Sequence, residues 1–392
     1  MRKTIGLLSA VTVLAIGTAH AQSLRPDTPH MFRWTPEQQA KWYPAIETLY
    51  RSAIIERGDY VRPLPKADRT LTVRYKDRYG NYWDLDDHMK ANYVSGLMVV
   101  KDGKVLLERY GLGRKPEDRW ISFSVTKSFT STLVGAAIQD GKIGSLDDPV
   151  TRYIPQLAGS AYAGVTLRQL LTMSSGVRWN ENYKDPDADV TRYSTAIQEP
   201  GANPIVSYMR SLPRFNNPGT TFNYNSGETD LVGIVVSNAV GKSLSQYASE
   251  KIWQAYGMER DATWMTDLAG HERGGCCLSM TLGDYARFGQ FMLDGGIARG
   301  RQVLPTGWVA QATSPRITYG FRDAALYGYF WWVGQDGAYD ASGIFGQSIT
   351  VVPDERLVIV INSAWPKAVD GELAGARRAF IINGVRAAAK SL

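Results

Sequence analysis

The stretch Ser124-Val125-Thr126-Lys127 leads into an apolar run from Phe129 to Ile138, which ends at Gly141. The pattern predicts a helix that carries a serine and a lysine on one face, because residues three apart are neighbours on a helix surface. The free amides and the dipole of the first turn stabilise negative charge beside the serine and help to keep the lysine neutral. A neutral amine can take the proton of a hydroxyl, so the pair could form a nucleophile without histidine.

Histidine is scarce in the rest of the chain, where only His30, His88 and His271 follow His20. A Ser-His-Asp hydrolase would need one of these isolated residues as its base, which makes that mechanism the weaker alternative. The nearest approach to Gly-x-Ser-x-Gly is Gly346 to Thr350, which lacks the second glycine. No His-Glu-x-x-His or Cys/His cluster of metal spacing occurs, so we expect neither a metal nor a cofactor.

The first 21 residues have the pattern of a signal peptide. A basic pair, Arg2-Lys3, precedes an apolar segment from Ile5 to Ile16 and an Ala19-His20-Ala21 cleavage site. We therefore expect cleavage near Ala21 and export to the periplasm or the medium. No later apolar run is long enough to span a bilayer, so stable membrane insertion is not expected.

The composition of the chain indicates which kinds of partner it can bind. The chain has 392 residues, 44% of them hydrophobic, and a formal charge of +6. Basic residues form only short pairs such as Arg114-Lys115, so we expect a small-molecule substrate and no nucleic acid. The oligomeric state is left open. The adjacent Cys276 and Cys277 suit two small packed residues; a strained vicinal bridge and a metal role are the alternatives.

Strand patterns lie at the two ends of the chain and helix patterns in its middle. Residues 22–90 are predicted to form an N-terminal arm, with a helix from Pro36 to Arg57 interrupted by Pro44 and a hairpin within Thr70–Asp87. Residues 91–392 are predicted to form one domain with an all-helical insertion at about 145–300. The expected strands are Gly96–Val100, Val105–Tyr110, Leu326–Val333, Tyr339–Ile344, Ser348–Val352 and Leu357–Asn362. The expected helices beyond Gly141 are Thr166–Thr172, Gly227–Val240, Leu282–Leu293 and Glu372–Lys390. The fold class is α+β: an antiparallel sheet flanked by helices, as in an α/β sandwich.

Several further motifs occur in a fixed order. Tyr224-Asn225-Ser226 follows a Pro-Gly turn and precedes a helix, and Tyr327 to Trp332 is rich in aromatic residues. Together with Ser124-x-x-Lys127, this set resembles the serine β-lactamase and penicillin-binding superfamily, class C branch. Trp179 to Pro186, Gly346-Gln347 and Asn362 to Trp365 are most similar to 6-aminohexanoate-dimer hydrolases and related carboxylesterases.

The resemblance implies a β-lactamase/transpeptidase-like fold and a role for each matching residue. Ser124 would be the nucleophile, Lys127 its base and Tyr224 a bridge that relays a proton to the leaving group. The backbone N–H groups of Ser124 and Ile344 would form the oxyanion hole. Candidate substrate contacts, each with packing as its alternative, are Trp179, Tyr183, Asn225, Ser342, Gly343 and Gln347.

Two positions depart from the family pattern. Ala341-Ser342-Gly343 stands where the family has a Lys-Thr-Gly or a relative, and it lacks the cation that binds a β-lactam carboxylate. Ser226 replaces the final asparagine of Tyr-x-Asn, so Asn225 would supply that amide or it is missing. We therefore expect an exported amidase or esterase that works through an acyl-enzyme. The alternatives are a β-lactamase or D-alanyl-D-alanine carboxypeptidase, and a non-catalytic module that binds cell-wall peptides or β-lactams.

Overall fold

The computed structural model describes residues 30–193, 203–319 and 326–391, so the expected signal peptide at 1–21 lies outside the described residues. The strands are β1 Ser52–Ile55, β2 Arg74–Lys76, β3 Tyr82–Asp84, β4 Val94–Lys101, β5 Lys104–Tyr110, β6 Trp120–Ile121, β7 Ala262–Met265, β8 Leu278–Met280, β9 Ile297–Ala298, β10 Arg301–Gln302, β11 Ile317–Thr318, β12 Leu326–Tyr327, β13 Trp332–Val333, β14 Tyr339–Gly343, β15 Gln347–Val352 and β16 Leu357–Ser363. The α-helices are α1 Pro36–Trp42, α2 Leu85–Ala91, α3 Val125–Gln139, α4 Leu167–Leu171, α5 Asp189–Arg192, α6 Pro204–Arg210, α7 Ser226–Val240, α8 Leu244–Ala248, α9 Leu282–Leu293, α10 Trp308–Ala312, α11 Gly371–Ala379 and α12 Ala387–Ala389. Among the described helices, none has the length and apolar character needed to cross a membrane.

The main sheet is antiparallel and joins the two ends of the chain. Its order is β11-β12-β13-β14-β15-β16-β4-β5, and β16 pairs with β4 from Leu357↔Lys101 to Ser363↔Val94. The N-terminal hairpin β4–β5 thus lies beside the strands that end the chain. The predicted antiparallel sheet assembled from both termini is confirmed.

Helices cover both faces of this sheet because its central strands are apolar on both sides. Met98 and Val360 face the core that contains α3 and α9, whereas Val99 and Ile359 face Phe380 near the C-terminus. Successive side chains of a strand point to opposite faces, so each central strand supplies both cores. This arrangement is the predicted α+β layering.

The middle of the chain contains more sheet than expected. A second antiparallel sheet has the order β1-β7-β8-β6, and β7 and β8 fall inside the region predicted to be all helical. β1 also corrects the predicted helix from Pro36 to Arg57: α1 ends at Trp42, a 3-10 helix covers Tyr43–Thr48, and Ser52–Ile55 then pairs with β7. Pairing with a strand distant in sequence outweighs the local helical pattern there.

Two other expectations concern hairpins. β2 and β3 form the hairpin expected within Thr70–Asp87. The single strand expected at Leu326–Val333 is instead two short strands, β12 and β13, that pair with each other. The turn between them includes Phe330 at φ 59°, and Tyr329 donates its amide to Ala312 O at 2.8 Å.

Candidate active site

The nucleophile candidate Ser124 lies where the short strand β6 turns into α3. The residue before it, Phe123, has a left-handed φ of 45°, a conformation that costs energy in a residue other than glycine. Ring contacts hold Phe123 in place, with centroids 5.4 Å from Tyr43 and 5.3 Å from Phe345. The Ser124 side chain makes no capping hydrogen bond to the helix, so its hydroxyl is free to face the site.

Lys127, one turn along α3, contacts Ser124 directly. Its Nζ lies 3.1 Å from Ser124 Oγ, 2.8 Å from Ser226 Oγ and 2.8 Å from Gly275 O. A neutral amine has two N–H donors and one lone pair. Ser226 Oγ and Gly275 O can accept the two donors, which leaves the lone pair directed at the Ser124 hydroxyl.

The lysine is buried, with 1% of its surface exposed. Burial lowers the pKa of Lys127 to about 8, because loss of water penalises the ammonium more than the neutral amine. The carboxylates of Glu181 and Asp230 oppose this by raising the pKa, and Arg273 lowers it further. The neutral amine is therefore far more accessible near neutral pH than it is in an exposed lysine.

Glu181 belongs to the site although the sequence analysis did not single it out. Ser226 Oγ donates to Glu181 Oε1 at 2.5 Å, and the Ser226 amide donates to Oε2 at 3.1 Å. Tyr183 OH donates to Oε1 at 2.6 Å, and the Trp179 indole N–H donates to Oε2. Ser226 thus links Lys127 to a carboxylate. The spacing of Trp179, Glu181 and Tyr183 was the available signal, because alternate residues of an extended segment point to one side.

Tyr224 lies against Lys127 and Ser124. Lys127 Nζ is 5.1 Å from the centre of the Tyr224 ring, and the phenol hydrogen-bonds the Ser124 side chain. Burial, together with the Glu181 carboxylate, raises the pKa of Tyr224 well above its usual range. The hydroxyl is therefore a neutral phenol at physiological pH, able to pass a proton but not to stay ionised.

The predicted oxyanion groups meet at the end of β14. A Cβ built on Gly343 would lie 2.5 Å from Ser122 O and 3.1 Å from Ser124 N, so only glycine lets the strand approach the Ser124 amide this closely. Ile344 follows at once and lines the same cavity as Ser124. The roles of the two amides stay predictions.

The loop before β8 completes the polar surroundings. Asp230 accepts Arg273 Nε at 2.8 Å and the Gly275 amide at 2.7 Å, which fixes the carbonyl that Lys127 contacts. Cys276 and Cys277 follow, and their sulfur atoms are in contact as a vicinal disulfide. The structure thus has the vicinal bridge rather than the two separately packed thiols that were the first expectation.

The six candidate substrate-contact residues lie in different parts of the structure. Tyr183 lines the cavity beside Ser124, whereas Trp179 is a core residue packed edge-on against Tyr193 at 5.1 Å. Ser342 pairs with Ser348 in the sheet, next to Gly343. None of these observations tests a contact with substrate, which stays a prediction.

Asn225 and Gln347 have hydrogen-bond partners within the fold, and contact of either residue with substrate stays a prediction. Asn225 is fully buried and its side-chain oxygen accepts the Glu228 amide at 3.0 Å as the N-cap of α7. Gln347 is also fully buried, and its Nε2 donates to Phe345 O at 3.0 Å and Ser363 O at 2.8 Å. The Asn225 oxygen and the Gln347 nitrogen thus satisfy backbone groups at a helix end and a turn end. It is the Ser226 hydroxyl, not the Asn225 amide, that contacts Lys127.

The three histidines do not replace Lys127. His88 is buried, and its Nδ1 forms a hydrogen bond with Tyr75 OH at 2.8 Å. Its ring stacks on Phe380. His271 contacts Asp267 on its own loop at 3.2 Å. His30 lines the cavity and accepts the Phe32 amide at 3.4 Å. Within the described residues, no His, Cys, Asp and Glu cluster could hold a metal ion.

Comparison with known proteins identifies the family of this chain. A family model described as Beta-lactamase matches residues 85–382. The 6-aminohexanoate-dimer hydrolase of Paenarthrobacter ureafaciens is 30% identical over 355 residues, which cover 86% of this chain and 88% of that protein.

Solved structures show a similar fold. A Bacillus anthracis protein provisionally described as a 6-aminohexanoate-dimer hydrolase has a TM-score of 0.76 at 22% identity, over 90% of this chain and 97% of that one. A family VIII carboxylesterase has a TM-score of 0.59 at 16% identity, over 75% of this chain and 95% of that one. At these identities the two structures indicate the fold alone.

Proposed function

This chain belongs to the β-lactamase family of serine hydrolases, and from that premise we propose that it cleaves an amide or ester bond through an acyl-enzyme on Ser124. The proposed substrates are linear amides of the 6-aminohexanoate-oligomer kind and related carboxylic esters. The observation that carries the proposal is the 3.1 Å contact between Lys127 Nζ and Ser124 Oγ, combined with the lowered pKa of that buried amine.

Acylation would begin with proton transfer from Ser124 Oγ to the lone pair of Lys127 as Oγ attacks the substrate carbonyl carbon. Negative charge then develops on the carbonyl oxygen, where the amides of Ser124 and Ile344 would donate to it; one such donor typically contributes about 10²–10³ in rate. The tetrahedral species collapses when the C–N or C–O bond breaks. Tyr224 passes a proton from Lys127 to the departing nitrogen or oxygen, and the acyl group stays on Ser124.

Deacylation would reverse the proton path. Water occupies the place of the leaving group, gives its proton through Tyr224 to Lys127, and attacks the ester carbonyl on Ser124. Glu181 and Ser226 support both steps because they hold the amine beside the two reacting oxygens without a contact to the substrate. Lys127 then returns the proton taken from water to Ser124 Oγ as the bond between Oγ and the acyl carbon breaks, and the carboxylic acid leaves.

The residues near β14 favour a linear amide or ester, which has no carboxylate close to the reacting carbonyl, over a β-lactam. Ala341-Ser342-Gly343 offers no cation at the position where the family binds a carboxylate, and a charge-assisted contact is worth about 1.5–3 kcal/mol. The 30% identical relative is named a 6-aminohexanoate-dimer hydrolase, which points to the same substrate class.

A substrate panel on the purified mature protein tests this choice. We expect turnover of p-nitrophenyl acetate and of the linear 6-aminohexanoate dimer, with much slower turnover of nitrocefin. Rapid nitrocefin hydrolysis without ester or amide hydrolysis would favour a β-lactamase. Release of D-alanine from a D-alanyl-D-alanine peptide would favour a carboxypeptidase.

Covalent labelling separates an enzyme from a binding module. A fluorophosphonate should form one adduct, which peptide mass spectrometry places on Ser124. An unlabelled protein that still binds cell-wall peptides would contradict the proposal. N-terminal sequencing of the exported protein tests the proposed cleavage near Ala21, since retention of residues 1–21 would exclude it.

A further inference from the structure

An apolar cavity of about 300 Å³ opens at Ser124, and the N-terminal segment, residues 30–51, forms one of its walls. This segment contributes Met31, Phe32 and Leu49 to the lining, and the rest of the chain contributes Phe123, Val190 and Met265. The segment is firmly attached, because Met31, Leu49 and Tyr43 belong to a buried cluster with Trp120 and Phe345. The wall is therefore part of the folded site.

The charged side chains around this cavity already have partners. Arg273 is paired with Asp230 at 2.8 Å, and Asp267 contacts His271 at 3.2 Å. Arg51 donates to Leu268 O at 2.8 Å. An ionised substrate group would have to compete with these contacts and lose its water, whereas an uncharged chain would lose nothing by entering. The cavity is matched to an apolar chain.

The position of Tyr224 determines which part of the substrate enters the cavity. Tyr224 stacks on Trp332 at 5.7 Å and packs near Phe222, and it is not among the residues that line the cavity. The leaving group must receive its proton from Tyr224, so it lies on that aromatic side. The acyl chain, attached to the opposite side of the same carbonyl, then points into the cavity, where Ile344 and Phe123 flank Ser124.

We propose that this cavity is the acyl-chain subsite and that Phe32 sets the length of chain it accepts, a proposal that rests on the hydrolase activity proposed above. Phe32 is half-buried between His30 and Tyr183, with ring centroids 4.6 and 5.4 Å away. Its ring and Val190 both line the cavity. Unbranched, uncharged acyl groups of intermediate length are the preferred ones, and the 6-aminohexanoyl group should react more slowly because its terminal ammonium would lose water in this cavity.

The test compares kcat/KM for p-nitrophenyl acetate, butyrate, hexanoate, octanoate and decanoate. In the unchanged protein we expect about a three- to fourfold gain for each buried methylene, followed by a fall once the chain reaches Phe32. Phe32→Ala should raise the decanoate-to-butyrate ratio about tenfold, and Phe32→Trp should lower it. The matched control is Phe215→Ala, since Phe215 is 76% exposed and lies outside the cavity; its ratio should equal that of the unchanged protein.

Ratios that are identical in both Phe32 variants would overturn the role of Phe32. A gain that follows the length of the alcohol in alkyl acetates, rather than the acyl chain, would overturn the assignment of the cavity. A second readout does not depend on turnover: octanamide should bind Ser124→Ala more tightly than acetamide by calorimetry. Equal binding overturns the subsite, whereas preferred binding without ester hydrolysis by the unchanged protein overturns the proposed function alone.

Discussion

The first turns of α3 and α7 meet at the site, but the side chains at their N-cap positions have different roles. Asn225 caps α7 by accepting the Glu228 amide, and this cap holds Ser226 against Lys127. Ser124 at the start of α3 makes no cap, so that helix forgoes a contact usually worth about 1 kcal/mol. One helix end thus supplies an uncapped hydroxyl for the reaction, while the other rigidly positions Ser226 beside Lys127.

The largest expected effect comes from removing the nucleophile at the start of α3. Ser124→Ala should lower kcat/KM by about 10⁶-fold, because the nucleophile is lost. It should leave the melting temperature nearly unchanged, because no capping bond is lost. The matched control is Ser131→Ala, two turns along the same helix, whose buried hydroxyl has no hydrogen-bond partner in the described structure. A similar loss in both variants would show damage to the helix rather than to the reaction.

Removal of the base comes next. Lys127→Ala should lower kcat/KM by about 10²–10⁴-fold, the usual contribution of a positioned general base. In the unchanged protein, kcat/KM should rise with pH up to about pH 8 and then level off, because Lys127 must lose its proton to act. Lys142→Ala, at an exposed lysine, is the control. Full activity in Lys127→Ala together with inactivity in His271→Ala would instead indicate a histidine-dependent hydrolase.

Glu181→Gln should have a smaller effect on kcat/KM, and it tests whether the Glu181 carboxylate acts on Lys127. Without the carboxylate that raises the Lys127 pKa, that pKa should fall, and the rise of kcat/KM with pH should move to lower pH. A purely structural role would reduce the rate without moving the pH profile. Glu117→Gln, at an exposed position, should change neither quantity.

The smallest expected effect comes from removing the N-cap of α7. Asn225→Ala should lower the free energy of unfolding by about 1 kcal/mol, measured by denaturant titration, because α7 loses its cap. Asn225→Ser should restore most of this loss, since serine caps helices about as well. Equal destabilisation by alanine and serine would contradict the capping role.

Several helix ends were predictable because local chemistry determines them. Thr281 caps α9 and the predicted bounds Leu282–Leu293 match the structure, while Gly241 ends α7 in a left-handed conformation. Ser124 and Lys127 were found for the same reason, since helical spacing alone puts them on one face. The family resemblance is confirmed by the match over residues 85–382.

What the sequence did not reveal depends on distant contacts. Ser52–Ile55 reads as the end of a helix and becomes a strand only through its pairing with Ala262–Met265. Glu181 lies in a polar stretch that looks like solvent-exposed loop until folding brings it to Ser226. Gln347 lies beside the predicted oxyanion hole in sequence, yet its amide turns inward to satisfy the Ser363 carbonyl.

A direct titration of Lys127 tests the central claim most closely. The ¹⁵N resonance of its side-chain nitrogen, assigned by its loss in Lys127→Arg, should titrate near pH 8, since the buried amine facing Ser124 is easily deprotonated. Titration above pH 10, the ordinary range of an exposed lysine, would show that the amine stays charged and cannot activate the serine.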